Sequence, residues 1–255
     1  MDSIASIVII VIDVFFGRLF LYVSPLCPLV GPYFWKPSII LKLYYYISMH
    51  ARFAKAVAQK IIVLNRMTCV LMPTHYAGIW ARLTPISIVL IVLLPLGGTW
   101  FILLSPRFYA IPASGGFTVI YIRAVTWATA SMFQSIYILT ALGFTVICTT
   151  ITFYKLVFLH VRVKTAEKSL CFTSIFISFT FLFVAGTQLW YMVCVPCRTS
   201  IYLFSAQFLA FDTFTIGTAV ILIMGNGQLR DSIFSPKVDN KRVFRVSANN
   251  SFTHG

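Results

Sequence analysis

The chain has 255 residues, of which 59% are hydrophobic, 16% aromatic and only 10% charged, and its mean hydropathy is +0.90. A soluble domain carries roughly 25% charged residues, so this composition excludes a soluble enzyme, and its hydrophobicity excludes a disordered chain. Twenty Lys+Arg against six Asp+Glu give a formal charge of +14. The basic residues do not gather on one soluble segment, so nucleic acid is excluded as a partner and the excess reads as loop charge that orients a membrane protein.

A spanning helix needs about 20 mostly apolar residues. Six stretches meet that length, which predicts an all-α polytopic bundle in the lipid bilayer. They run from about Ile4 to Val23, Ser38 to Leu64, Leu83 to Leu104, Val125 to Leu159, Leu170 to Val195 and Ile201 to Met224. No alternating pattern is sustained enough for a membrane barrel. The bundle covers residues 1–234, and 235–255 form a basic tail that reads as disordered. The first span lacks a positive start and is interrupted by Asp13 and Arg18, so it is expected to be retained rather than cleaved.

Proline marks the breaks. Pro25, Pro28, Pro32 and Pro37 separate the first two spans, Pro106 and Pro112 with Gly115-Gly116 the third and fourth, and Pro196 the last two. Pro95 lies inside the third span and is expected to kink it.

Arg66, Arg82, Arg162, Lys164 and Lys168, and five basic residues from Arg230 to Arg245, fall on one side. The other side holds Lys36, Arg107, Arg123 and Arg198. The positive-inside rule then puts both termini in the cytoplasm. The sequon Asn249-Asn250-Ser251 is expected to stay unmodified there.

The second span is the most polar. At 3.6 residues per turn, Tyr45, Ser48, Arg52, Lys55, Gln59 and Arg66 form one stripe, which must face other helices. Lys42 and Lys60 are placed to snorkel toward opposite headgroup layers. Charge inside a bilayer needs partners. Asp13 and Asp212 are the two acids near mid-membrane, which predicts a network of Asp13, Arg52, Lys55 and Asp212. Its role is either to fix helix register or to act as a switch or ion site. Gln134, Tyr137, Gln188, Tyr191 and Gln207 lie toward the outer half, either lining a pocket for a small-molecule ligand or bonding between helices. Cys194 and Cys197 form a CxxC at a membrane boundary, without the context of a redox motif or a zinc site. No metal set, cofactor motif or catalytic set is recognisable, so no enzyme activity is expected.

The run Asn65-Arg66-Met67-Thr68-Cys69-Val70-Leu71-Met72-Pro73, followed by Tyr76 and Ile79-Trp80, resembles the nematode serpentine receptors of class gamma. Arg18-Leu19-Phe20, Pro25-Leu26-Cys27-Pro28, Pro37-Ser38, Gly115-Gly116-Phe117, Trp127-Ala128, Gln207 with Phe211-Asp212, and Gln228-Leu229-Arg230 fit in order and spacing. The resemblance implies a chemoreceptor like the seven-helix G-protein-coupled receptors, in the plasma or ciliary membrane of sensory neurons. It would bind a small chemical ligand and signal through a heterotrimeric G protein. Asn65-Arg66-Met67 then sits at the G-protein face, where Asn in place of an acid precludes a local Asp–Arg lock. The first span matches the family's second helix, so the chain is expected to lack the family's first helix. A transporter or channel, or a truncated receptor that does not signal, are the competing readings. Cys27 can bond Cys194 or Cys197.

Overall fold

The computed structural model describes residues 2–19, 23, 26–113, 116–158, 165–194 and 200–225. The chain is mostly helical. Helix α1 (Asp2–Ile12) runs without a break into a π-helical turn, Asp13–Arg18. The proline-rich segment expected to be a break forms a short helix instead, α2 (Leu26–Phe34). Pro28 falls in its first turn, where a missing N–H costs nothing. Leu26, Val30 and Phe34 hold α2 against an apolar cluster that includes Leu41, Phe101 and Phe108.

Helix α3 (Ile39–Leu71) starts where expected, with the Ser38 hydroxyl accepting from the Ile40 N–H at 3.2 Å. It does not stop at Leu64. No glycine or proline interrupts it before Pro73, and its 33 residues extend about 50 Å, past the hydrocarbon layer. Every residue from Phe53 to Gln59 is buried, so α3 is enclosed on all sides at its centre. Ala51, Ala54, Ala56 and Ala58 allow that close approach, as small residues do between membrane helices.

Helices α4 (Tyr76–Leu93) and α5 (Leu96–Leu104) form the third span, which begins at Tyr76 rather than Leu83 and so takes in Arg82. Pro95 breaks it as expected. Two carbonyls near the break find new partners: His50 Nε2 lies 3.2 Å from the Val92 oxygen, and the Tyr137 hydroxyl donates to Leu94 at 2.6 Å. Beyond the break, Gly98 meets two stacked rings. A Cβ there would lie 2.8 Å from Phe53 Cε2 and 2.9 Å from Tyr137 Cε2. Gly98→Ala is therefore expected to cost about 1–3 kcal/mol by overpacking, read as a lower melting temperature in detergent.

Residues 108–113 and 116–121, expected to be loop, form two paired strands, the hairpin. Strand β1 (Phe108–Ala113) pairs antiparallel with β2 (Gly116–Tyr121), with Phe108 opposite Tyr121. The hairpin is fastened to the end of the bundle where α3 begins. The Ser38 N–H donates to the Phe108 carbonyl, the Tyr121 hydroxyl accepts from the Ala130 N–H, and Tyr45 packs on both Phe108 and Tyr121.

Three helical stretches complete the bundle: α6 (Ala130–Phe158), α7 (Thr165–Val193), and α8 (Ile201–Asp212) continued by a π turn, Thr213–Gly217, and α9 (Thr218–Gly225). Their core, shared with α3, contains Ala56, Val63, Ile138, Ala141, Phe181, Val184, Ala210, Phe211 and Phe214. Outside it the helices show apolar surface. Ile86, Ile88, Val89, Leu90, Val92 and Leu93 of α4 are all exposed, a patch that suits lipid and not water. Tyr76–Leu104 and Ala130–Lys155 are each long and apolar enough to cross a bilayer alone. The tail at 235–255 lies outside the described residues.

Candidate functional site

The charged residues expected to form one network are divided between two sites on α3 and a third on α8. Arg52 Nη2 donates to both Asp13 oxygens, at 2.9 and 3.0 Å, and the Ser48 hydroxyl lies 3.4 Å from Asp13 Oδ1. Lys55, fully buried, pairs with Asp2 at 3.3 Å and bonds the Ser6 hydroxyl at 2.7 Å. Gln59 Nε2 reaches the same Asp2 oxygen at 3.1 Å. Asp212 meets neither Arg52 nor Lys55 in an ion pair. Its partner is Arg18, whose two terminal nitrogens meet its two oxygens, one at 2.8 Å.

The local backbone explains this division. In an α-helix, residues five apart point about 140° away from each other. The Leu19 N–H bonds the Val14 carbonyl, the i→i+5 pattern of a π turn, and that pattern swings Arg18 toward the face that carries Asp13. Asp13 then meets α3 while Arg18 reaches α8. A second π turn follows directly after Asp212.

Each cation also lies over a ring of α8 or of the π turn that continues it. Arg18 Cζ is 5.1 Å from the Phe208 centroid, Arg52 Cζ 4.9 Å from Phe211, and Lys55 Nζ 5.1 Å from Phe214. The three phenylalanines recur every third residue, so they share one helix face. Such contacts contribute about 0.5–2 kcal/mol each, most when desolvated. Acids of α1 and its π turn, cations of α3, and aromatic rings of α8 and its π turn thus interlock through the middle of the bundle.

Neither flanking lysine extends free toward a headgroup layer. Lys42 donates to the Leu103 carbonyl at 2.7 Å, and Lys60 to the Thr140 hydroxyl at 3.0 Å beside the Tyr137 ring.

The five residues read as a pocket do not converge as one set. Tyr137 stacks on Phe53 with ring centroids 4.4 Å apart and gives its hydroxyl to Leu94, so it faces the α4–α5 kink. Gln134 and Gln188 are buried, and neither Nε2 has a partner among the described residues. Gln207 is half-buried on α8, and the Tyr191 side chain lies outside those described.

At the end of α3 away from the hairpin, Asn65 has a use that sequence reasoning missed. Its Oδ1 accepts from the Tyr76 hydroxyl at 2.7 Å, and the Trp80 indole donates to the Thr68 hydroxyl at 2.7 Å. These two bonds buckle the end of α3 to the start of α4. Arg66 is half-buried beside them, and Met67 packs on the inner core. Cys194 is disulfide-bonded, while Cys69 and Cys148 are free thiols. The Cys27 and Cys197 side chains lie outside those described.

Asp2, Ser6 and Arg18 were the other omissions. Hydropathy puts Asp2 beyond the membrane end and treats Arg18 as an interruption. The available signal was helical spacing: Asp2, Ser6 and Asp13 recur on one face of the first helix, as Arg52, Lys55 and Gln59 do on the second.

Comparison with known proteins places this bundle. A family model described as "Srg family chemoreceptor" matches residues 1–233. Among similar proteins of Caenorhabditis elegans, serpentine receptor class gamma-15 is 59% identical over 255 residues, covering 100% of this chain and 80% of that protein. Serpentine receptor class gamma-17 is 51% identical, covering 96% of this chain and 75% of its own length. For serpentine receptor class gamma-16 the identity is 48%, with coverage of 89% and 70%. This chain therefore belongs to the Srg family of chemoreceptors and is an integral membrane chemoreceptor.

Proposed function

We propose that this receptor binds a small chemical ligand in the outer half of the bundle and signals through a heterotrimeric G protein at the inner ends of α3 and α4. The C-terminal tail is then cytoplasmic, and the working membrane is the plasma or ciliary membrane of a sensory neuron. One observation carries the reading. Helix α3 contacts the hairpin through Tyr45, holds the interlocked charges through Arg52 and Lys55, and carries Asn65-Arg66-Met67 near its C-terminal end. A single rigid element thus joins the ligand end to the G-protein end. The ion pairs that bind it to α1 are the parts that two states would share unequally. A ligand shifts such an equilibrium only by its differential affinity for the two states.

The test is a G-protein activation assay in cells displaying the receptor, run with a panel of odorant-sized compounds. Arg66→Ala is expected to lower activation at least tenfold while surface display stays within about twofold, since Arg66 would act on the partner rather than on folding. Equal losses of both would reduce Arg66 to an anchor. Ion or solute flux through reconstituted vesicles without G protein would replace the receptor reading with the transport one.

A further inference from the structure

Three cations of the bundle are already matched to acids. Arg18, Arg52 and Lys55 each meet a carboxylate, from Asp212, Asp13 and Asp2 respectively. An anionic ligand would have to displace one of these acids, and a cationic ligand would have to displace a bound Arg or Lys. Among the described residues these three ion pairs are closed to an ionised ligand, and Lys60 is held by the Thr140 hydroxyl and the Tyr137 ring.

Hydrogen-bond donors are a different matter. Gln134 is 6% exposed and Gln188 3% exposed, and each has an Nε2 with no partner among the described residues. Leaving such a group unbonded costs about as much as a lost hydrogen bond. The two amides also sit at corresponding levels. Gln134 lies one turn before Ile138 on α6, and Gln188 one turn after Val184 on α7. Both Ile138 and Val184 belong to the shared core. Because α6 and α7 run in opposite directions, both steps lead toward the outer end. On α8, half-buried Gln207 lies one turn before Phe211 of the same core, again on the outer side. Three glutamines on three helices therefore each lie one turn beyond a residue of the same apolar cluster, and two of them have an Nε2 without a partner among the described residues.

We propose that Gln134 and Gln188 form the polar end of the ligand site, and that it takes an uncharged molecule with an apolar chain and a carbonyl acceptor, such as a ketone, ester or lactone. The carbonyl oxygen accepts from the two amides, and the chain lies on the apolar core beneath. The inference rests on the receptor reading but specifies the class of ligand, which that reading leaves open. It also explains why two costly buried amides are present: the ligand bonds the Nε2 groups that the helices leave without a partner.

The test uses the purified full chain in detergent and reads the melting temperature, since a ligand that binds the folded state raises it. The probes are 2-heptanone, heptane, heptanoate and heptylamine. The ketone is expected to raise the melting temperature where the other three do not. Gln188→Leu and Gln134→Leu should each weaken the ketone's half-maximal concentration about tenfold, the loss of one hydrogen bond. Without ligand, both variants should melt at or above the unmodified chain, because an unsatisfied amide has been removed. A merely structural glutamine would instead lower it. Should a leucine variant fail to fold, Gln188→Met keeps the length, removes the amide donors and should weaken the ketone's half-maximal concentration by the same factor. Binding of heptanoate or heptylamine in place of the ketone overturns the ligand class and leaves the receptor reading intact. No shift with any probe, or a ketone shift unaffected by the Gln134 and Gln188 variants, overturns the site. The G-protein assay then judges the receptor reading separately.

Discussion

Asp13→Ala is expected to destabilise the receptor by about 3–5 kcal/mol, the cost of leaving a buried charge without its partner. Asp13 is only 4% exposed, and the Arg52 guanidinium has no other carboxylate among its hydrogen-bond partners. The Ser48 hydroxyl would lose its acceptor as well. The measurement is the melting temperature in detergent, with surface display as a second readout. Adding Arg52→Gln should recover most of the loss, because an uncharged pair in this site needs no counterion. If Asp13→Ala alone leaves both readouts unchanged, the pair contributes nothing to folding.

The second large effect concerns Asp212. Asp212→Asn should leave Arg18 held by a neutral amide, and in a double-mutant cycle Arg18→Gln should restore stability with a coupling of about 0.5–3 kcal/mol. Arg52→Gln and Lys55→Met should give no such rescue, since these residues pair with Asp13 and Asp2. Each would add its own loss. Rescue by either α3 substitution would return Asp212 to the network that mid-membrane position alone suggests.

Much of the architecture is legible in local signals. Apolar length locates the helices, because the bilayer requires a fixed run of apolar residues whatever their neighbours. Pro37-Ser38 marks the start of α3, where a hydroxyl satisfies a free N–H. Pro95 marks the break between α4 and α5. The polar stripe on α3 turns inward, with Ser48, Lys55 and Gln59 buried. The hairpin at residues 108–121 was not legible. Pro112 and Gly115-Gly116 read as loop, and what holds the strands is their packing on Tyr45 of a distant helix. The inner end of α3 was misjudged for a related reason. Asn65 and Arg66 lower the local hydropathy, yet the helix continues because Tyr76 and Trp80 brace it from α4.

The candidate site divides in the same way. Gln134, Gln188, Asp13 and Arg52 stand out as polar groups in apolar stretches, where each is expensive and so invites explanation. Tyr137 stands out equally, but the Pro95 kink diverts it by exposing a carbonyl for its hydroxyl.

The sequence by itself determined that this protein lives in a bilayer, that it is a helical bundle, and which family it joins. Those properties depend on composition, apolar length and ordered motifs, all of which are additive along the chain. Only the tertiary structure decided which acid meets which base. Arg18 and Asp212 are 194 positions apart, and a π turn aims the arginine at its partner. Pairing of that kind depends on the register of one helix against another, and no periodicity within a single helix encodes it.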